Sequence, residues 1–191
     1  MTQTPPKPRT FQTLDRCDPT PYSTGEYASR ALWNLVQATV FRLPIPRAFG
    51  WRNFWLRMFG AKVGENSGVY RTVRIIHPWL LELGNWTVIG DRAIVYNLGK
   101  ITIGDHTVIS QAAHLCAGSH DYTDPSLPLL RPEIKIGNGV WVAADTFVGP
   151  GVVIGDNSVI GAGSVVVGEI PAGVVAAGNP CRVIKPRPMN A

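Results

Sequence analysis

From residue 63 onward, an aliphatic residue recurs every six positions along the chain. Glycine follows four of the six members of the unbroken part of this run, which consists of Ile136, Val142, Val148, Ile154, Ile160 and Val166. A second, usually small residue lies four positions after each aliphatic one, as Thr146 and Ser158 do. Alternation along a strand turns both kinds of residue toward the same side. The pattern therefore predicts one short strand and one tight turn in every six residues.

Three such strands close a triangular coil of 18 residues, and successive coils stack with parallel strand pairing. Coils start at residues 63, 83, 103, 136 and 154, so their spacings are 20, 20, 33 and 18. The long spacing contains a fifteen-residue excursion, residues 121–135, and an ordered coil seldom carries such an insertion without a use for it. The predicted fold class is an all-β core, a parallel β-helix over residues 61–170. An N-terminal helical segment, residues 1–60, precedes it, and a tail, residues 171–191, follows it.

Residues that immediately precede the aliphatic positions face outward, and on two of the three faces they are mostly apolar. The first row is Val88, Val108, Trp141 and Val159, and the second is Ile94, His114, Phe147 and Val165. Monomeric proteins seldom leave apolar rows of this length open to water. The two rows therefore predict contacts between copies of the chain.

Charge divides the chain into two parts. The net charge of +5 lies entirely in residues 1–60, which hold eight Lys or Arg and three Asp or Glu. Residues 30–60 contain five arginines, seven aromatic residues and no acid, and predict two helices separated by residues 43–46, the second running from Trp51 to Phe59. Two interpretations stay open, a cap over the open end of the β-helix and a peripheral contact with an anionic membrane. Nucleic acid is not an expected partner, because no recognised binding module is present.

Composition excludes several other classes of protein. A helix bundle tolerates 20 glycines and 16 prolines poorly. The longest apolar stretch, residues 31–41, is too short to span a bilayer, and the first ten residues lack the apolar core of a signal peptide. Three scattered cysteines indicate a reducing, cytoplasmic location rather than a disulfide framework or a structural zinc site; they are Cys17, Cys116 and Cys181.

The hexapeptide array resembles that of the left-handed β-helix acyltransferases. Residues 136–185, from IGNGVWVAADTFVGPG to AAGNPCRVIK, look like the C-terminal half of the maltose and galactoside O-acetyltransferase group. The stretch SHDYTDPSLPL, residues 119–129, looks more like the colanic-acid or exopolysaccharide branch. The resemblance implies a left-handed coil and a homotrimer with active sites in the grooves between subunits. It also implies direct transfer of an acetyl group from acetyl-coenzyme A to a sugar or glycan hydroxyl, with no metal.

Acetyl transfer to a hydroxyl requires a base, and a neutral imidazole suits that role near pH 7. Of the four histidines, the resemblance implies His120, where the excursion departs, as the base. His77 precedes a proline and is expected to be structural, whereas His114 could line a subunit interface. Asn97, one coil earlier, is the implied contact to the acceptor. Leu98 stands beside it where the galactoside enzymes carry a carboxylate.

The resemblance also implies residues that bind coenzyme A. Small side chains let the pantetheine arm approach the backbone, a tryptophan walls the groove, and two basic residues bind the phosphates. These residues are Ala144, Gly161, Ala162, Trp141, Arg182 and Lys185. Plain interface packing for Trp141 and a solvated basic tail are the alternatives. Two other functions also stay open, a zinc lyase of the γ-carbonic anhydrase type, which needs three converging histidines, and a non-catalytic scaffold.

Overall fold

The computed structural model describes residues 11–17, 21–43 and 47–188, which form a parallel β-helix preceded by two helices. Helix α1 spans Thr24–Ala38 and helix α2 spans Phe49–Met58, with single 3₁₀ turns at Leu14–Arg16 and Pro78–Leu80. Sheet A contains β1 (Lys62–Val63), β4 (Leu81–Leu83), β7 (Ile101–Ile103), β12 (Ile134–Ile136) and β15 (Val153–Ile154). Sheet C contains β3 (Arg74–Ile75), β6 (Ile94–Tyr96), β9 (His114–Cys116), β14 (Phe147–Val148) and β17 (Val165–Val166).

Sheet B has seven strands, because the end of the chain adds to it. Its members are β2 (Gly68–Val69), β5 (Val88–Ile89), β8 (Val108–Ile109), β13 (Trp141–Val142), β16 (Val159–Ile160), β18 (Val174–Ala177) and β19 (Arg182–Pro186). Within sheets A, B and C, all strand pairs are parallel except β18 with β19. A separate two-stranded ribbon joins β10 (Ser119–His120) to β11 (Leu129–Leu130) in antiparallel fashion. The chain thus visits sheets A, B and C in turn, coil after coil.

The register between coils matches the sequence period. Val63, Leu83, Ile103, Ile136 and Ile154 are successive Cα partners in sheet A. The predicted coil starts are therefore confirmed, and the long insertion before Ile136 does not shift the register of the coils on either side.

Hydroxyl side chains inside the corner between sheets A and B explain the small positions of the repeat. Thr87 and Thr107 are fully buried. The Thr107 hydroxyl donates to the carbonyl of Gly137 at 2.7 Å and accepts the N–H of Val140 at 3.1 Å. Thr87 donates in the same way to Gly104 and accepts from the Thr107 N–H. Each hydroxyl satisfies turn peptide groups that strand pairing leaves unpaired.

Both helices differ at their ends from the sequence prediction. Helix α1 begins earlier, because Ser23 and Glu26 form a capping box in which the Glu26 N–H donates to the Ser23 hydroxyl. Helix α2 starts two residues before the predicted Trp51 and ends at Met58. The predicted break at Pro44, Ile45 and Pro46 lies outside the described residues.

The helices cap the first coil through side-chain hydrogen bonds. Strands β1, β2 and β3 are the outer strands of their sheets at this end, so their outer carbonyls have no strand partner. Arg57 donates to the carbonyl of Val63 at 2.7 Å, and Arg52 donates to the carbonyl of Val69 at 2.5 Å. The indole of Trp33 donates to the carbonyl of Ile75 at 2.7 Å, beside an amide from Gln37. The helical segment therefore closes the open end of the β-helix, as the cap interpretation predicts.

Helix α2 packs on the first coil with Arg52, Asn53 and Leu56, whereas its exposed face is largely apolar. Arg52 is 0% exposed and Asn53 is 6% exposed, because both side chains reach carbonyls of β2 and the turn before it. Trp51, Phe54 and Met58 are 41, 51 and 65% exposed. The apolar spacing in the sequence thus indicated a helix correctly, but most of the apolar side chains do not form its packing face.

The C-terminal residues close the opposite end. The Cys181 N–H donates to the carbonyl of Val165 on the outer strand of sheet C at 2.8 Å. Arg187 donates to the carbonyl of Gly139 at 2.9 Å, across the corner between sheets A and B. Burial raises the pKa of the Cys181 thiol, so this side chain acts as a packing residue.

Substituting alanine for Gly104 should destabilise the fold. A Cβ at this turn would lie 2.5 Å from Oδ1 of Asn138 and 2.7 Å from the carbonyl carbon of Gly137 in the next coil. We expect Gly104→Ala to lower the free energy of unfolding by about 1–3 kcal/mol, the usual cost of overpacking. Urea unfolding measures it. Gly168→Ala is the matched control, since a Cβ there meets nothing within 4 Å; equal effects for the two variants would contradict the coil contact.

Candidate active site

The long insertion forms a hairpin rather than a plain loop. Ser119 pairs with Leu130 and His120 pairs with Leu129 in antiparallel register. The β-helix resumes at Ile134, which pairs with Ile101 in sheet A. The predicted end of the excursion at residue 135 is therefore wrong by two residues, because Ile134 and Lys135 already belong to a strand.

His120 lies at the base of this hairpin with its ring fixed from one side. Its Nδ1 atom is 2.6 Å from the carbonyl oxygen of Leu127. A carbonyl can only accept a hydrogen bond, so Nδ1 carries the proton in this contact. In the neutral ring Nε2 then keeps its lone pair, which is the arrangement that a general base requires.

Turns within the hairpin place the Leu127 carbonyl. Leu127 adopts a left-handed backbone conformation with φ of 49°, which is unusual for a bulky residue. Its N–H donates to the carbonyl of Asp124 at 3.0 Å. The Asp124 carboxylate accepts from the N–H and hydroxyl of Ser126, both at 2.8 Å, and these bonds lower the pKa of Asp124. Asp121 accepts from Thr123 in the same way, so both aspartates build turns.

A cavity of about 790 Å³ lies beside His120. Its walls come from an N-terminal segment, from one edge of the β-helix and from the hairpin. They are Arg16, Cys17, Pro21, Tyr22, Tyr96, Leu98, His120, Ser126, Leu127, Pro128, Leu129 and Arg131. Two hydrogen bonds join the N-terminal segment to the hairpin. The Thr13 N–H donates to the carbonyl of Pro125, and the Cys17 thiol donates to the carbonyl of Ser126.

Sequence reasoning missed most of this wall. Residues 11–22 follow no repeat, and Cys17 and Pro21 are held at the cavity by hydrogen bonds to Ser126 and Arg131, which are far away in the chain. The position of Tyr96 near the site could have been predicted from the repeat, because Tyr96 is the Cα partner of Cys116 just before the excursion. That register places it one coil below the departure of the hairpin.

Asn97 lies inside the β-helix rather than on the cavity wall. It is fully buried, its Oδ1 accepts the N–H of His77 at 2.9 Å, and its Nδ2 donates to the His77 carbonyl at 2.5 Å. The amide thus joins two coils where the strands have ended. The neighbours Tyr96 and Leu98 face the cavity instead. A contact between Asn97 and an acceptor stays a prediction that this geometry does not support.

The residues expected to bind coenzyme A lie together on sheet B and its corner with sheet C. The Trp141 indole is 49% exposed and donates to the Ser110 hydroxyl at 2.9 Å. Ala144 and Ala162 lie in stacked turns, since the next N–H after Ala162 donates to the Ala144 carbonyl. Gly161 has a packing role of its own, because a Cβ there would lie 2.8 Å from the Cβ of Ala177.

Arg182 and Lys185 lie exposed on β19, at the edge of sheet B. His120, in contrast, leaves the β-helix after sheet C and before sheet A. Within one chain the structure therefore places the candidate base and the candidate coenzyme A residues on different edges of the triangle.

The outward rows align in register as the sequence indicated. Trp141 pairs with Val108 and with Val159 on sheet B, and Phe147 pairs with His114 and Val165 on sheet C. Sheet A differs, because ion pairs cross its outer surface. Glu82 bonds to Lys62 at 2.7 Å and to Lys100 at 3.0 Å. Apolar outer surface is thus concentrated on two of the three faces.

Residues 11–17, 21–43 and 47–188 contain no group of three His, Cys, Asp or Glu side chains arranged to hold a metal ion. His114 is half-buried against the rings of Tyr96 and Phe147. Within the same described ranges, neither helix has the length and apolar character needed to cross a bilayer.

The buried His77 makes stability depend on pH. Burial lowers its pKa, and Arg30 and Arg131 add to the shift, whereas the Asn97 carbonyl and Glu26 oppose it. The unfolded chain therefore takes up the proton first, near pH 6.5, and stability falls as the pH drops below that value. We expect urea unfolding between pH 8 and 5 to show this loss, with a smaller slope in His77→Gln. His106→Asn, at an exposed turn, should keep the wild-type slope; a reduced slope there would contradict the assignment.

The sequence pattern and the fold of this chain are shared with several known proteins. The family model described as bacterial transferase hexapeptide (six repeats) matches residues 133–168. A relative named putative colanic acid biosynthesis acetyltransferase WcaF, from Escherichia coli K12, is 45% identical over 169 residues, covering 88% of this chain and 93% of the relative. A maltose O-acetyltransferase structure from Clostridium difficile 630 has a TM-score of 0.80 at 29% identity, covering 87% of this chain and 90% of that one. A galactoside acetyltransferase in complex with coenzyme A has a TM-score of 0.79 at 32% identity, with coverages of 87% and 84%.

Proposed function

The chain belongs to the hexapeptide-repeat acetyltransferases. We propose that it acetylates a hydroxyl group of a sugar or glycan precursor of the exopolysaccharide type. Acetyl-coenzyme A is the co-substrate, in keeping with the coenzyme A complex of a similar structure. The observation that carries the proposal is His120, whose Nδ1 is held by the Leu127 carbonyl beside a cavity of about 790 Å³.

The reaction uses the tautomer of His120 that carries its proton on Nδ1. Nε2 of His120 accepts the proton of the acceptor hydroxyl as the hydroxyl oxygen attacks the thioester carbonyl. The new C–O bond forms as the C–S bond breaks, and the proton passes from His120 to the departing thiolate. The Leu127 carbonyl stabilises the imidazolium that forms in between, because its oxygen carries partial negative charge toward Nδ1–H.

Replacing His120 should abolish most of the turnover without unfolding the protein. His120 is exposed, so His120→Asn removes little packing. We expect kcat to fall about 10²–10⁴-fold, the usual contribution of a general base. Release of the coenzyme A thiol, measured with a panel of free sugars, nucleotide sugars and oligosaccharides, gives the rate.

His106→Asn is the matched control, because its left-handed backbone, with φ of 53°, suits asparagine and its ring stacks on Trp86 away from the cavity. More than a tenth of the wild-type rate in His120→Asn would contradict the role of His120. Absence of transfer to every sugar by the wild type would contradict the proposed function.

A homotrimer would bring the two halves of the site together. His120 and the residues proposed to bind coenzyme A lie on different edges of one β-helix, so a groove between two copies would unite them. Trp141 would wall that groove, Ala144, Gly161 and Ala162 would let the pantetheine arm approach, and the tail would bind the phosphates through Arg182 and Lys185. The apolar outer rows on sheets B and C support such packing.

A charge placed on an outer row tests the assembly. Val108 is 42% exposed on sheet B, and Val153 is 39% exposed on the polar sheet A. We expect Val108→Glu to shift the mass measured by light scattering from trimer toward monomer, because burial of an unpaired carboxylate is unfavourable. Val153→Glu should leave the trimer intact. Dissociation by both variants, or by neither, would contradict an interface on sheet B.

Membrane contact by residues 30–60 stays a prediction. Trp51, Phe54 and Met58 on the outer face of α2 are the side chains that would enter the lipid interface. This contact is compatible with the capping role, because the cap uses the opposite face of the helix.

A further inference from the structure

The cavity beside His120 is positively charged. Arg16 enters from the N-terminal segment and Arg131 from the hairpin, just after β11. Among the residues that the structure describes, the lining includes no Asp or Glu. A molecule bound next to the candidate base therefore meets guanidinium groups without a competing carboxylate in the wall.

Arg131 is held in place before any ligand arrives. Its Nη2 donates to the carbonyl of Pro21 at 2.6 Å, and its guanidinium carbon lies 4.7 Å from the centre of the Tyr22 ring. Its Nη1 lies 3.8 Å from Oε1 of Glu26, outside the cavity. A side chain already fixed by its neighbours loses little conformational entropy when it binds an anion.

Positive charge around Tyr22 exceeds negative charge. Arg30 lies 4.2 Å from the centre of the same ring as Arg131. The facing carboxylate, Glu26, also accepts from the N–H and hydroxyl of Ser23, at 2.9 and 3.1 Å, and its contact with Arg131 measures 3.8 Å. Neighbouring like charges are unfavourable until an anion compensates them.

We propose that the acceptor carries an anionic group, a phosphoryl or carboxylate substituent on the sugar, which Arg16 and Arg131 bind while the reacting hydroxyl faces Nε2 of His120. This inference rests on the proposed acetyl transfer. A guanidinium group matches either oxyanion with two parallel hydrogen bonds. The volume of about 790 Å³ falls in the range of sites that enclose a whole small molecule, so it accommodates a saccharide together with its charged substituent.

Matched sugars test the charge preference by binding as well as by turnover. Calorimetry without acetyl-coenzyme A compares the methyl glycosides of galactose, glucose and fucose with the corresponding 1-phosphates, and with galacturonate and glucuronate. For at least one of these three sugars, we expect the charged form to bind about tenfold or more tightly than the neutral methyl glycoside, because one charge-assisted hydrogen bond provides that much affinity. A preference for the phosphates or for the uronates identifies the anion.

Removing either arginine should reduce the preference for the charged sugar over the neutral one. Arg131→Gln also disturbs the contacts with Pro21 and Glu26, so Arg16→Gln provides an independent variant. Arg42→Gln is the control, because it removes the same charge from an exposed turn outside the cavity. Thermal unfolding of each variant verifies that the fold is intact.

Equal binding of neutral and charged sugars in every series, including no measurable binding of any, would overturn the inference. A preference that survives in both Arg16→Gln and Arg131→Gln would also overturn it. The same measurements distinguish a failure of the proposed function from a failure of this inference. Charge-dependent binding without acetyl transfer would contradict the proposed function only. Acetyl transfer to neutral sugars without a charge preference would contradict this inference only.

Discussion

Peptide hydrogen bonds between successive coils are the interaction on which the rest of this molecule depends. The N–H of Gly64 donates to Leu83, that of Gly84 to Ile103 and that of Gly104 to Ile136, each at 2.8 Å. Parallel pairing fixes the register, so the place of a residue in the six-residue repeat decides whether it points inward, outward or into a corner. Aliphatic residues fill the interior, and hydroxyl side chains such as Thr107 satisfy the turns.

At each end of the β-helix, the outer coil has carbonyls and N–H groups without a strand partner. At the first coil, side chains of the two helices donate hydrogen bonds to these carbonyls, and this explains why Arg52 and Asn53 are buried. The consequence is an outer helix face that carries Trp51 and Phe54. At the last coil, β18 and β19 continue sheet B, and the Cys181 N–H and the Arg187 side chain bond to further carbonyls.

Register also explains where chemistry can occur. The insertion leaves after sheet C and returns to sheet A without shifting the coils, so its backbone is free of the ladder. The turns of the insertion place the Leu127 carbonyl against Nδ1 of His120. The coils keep the residues proposed for coenzyme A on another edge, and for this reason we propose that a second copy of the chain completes the site. The positively charged wall around Arg131 adds the selectivity that we infer for the acceptor.

The coil starts, the assignment of strands to three faces and the alignment of the outward rows could all be predicted from the sequence, because a six-residue period is a local property. The resemblance carried by residues 119–129 also pointed to His120. The atom that orients this histidine could not be predicted, because a backbone carbonyl has no signature in the sequence and its position depends on how the chain folds. The burial of Asn97 between coils, the burial of Arg52 and Asn53 on α2, and the cavity wall formed by Arg16, Cys17, Pro21 and Tyr22 likewise depend on the folded chain. Each depends on contacts between distant segments, such as the bond from Cys17 to Ser126 across 109 positions, which no local pattern encodes.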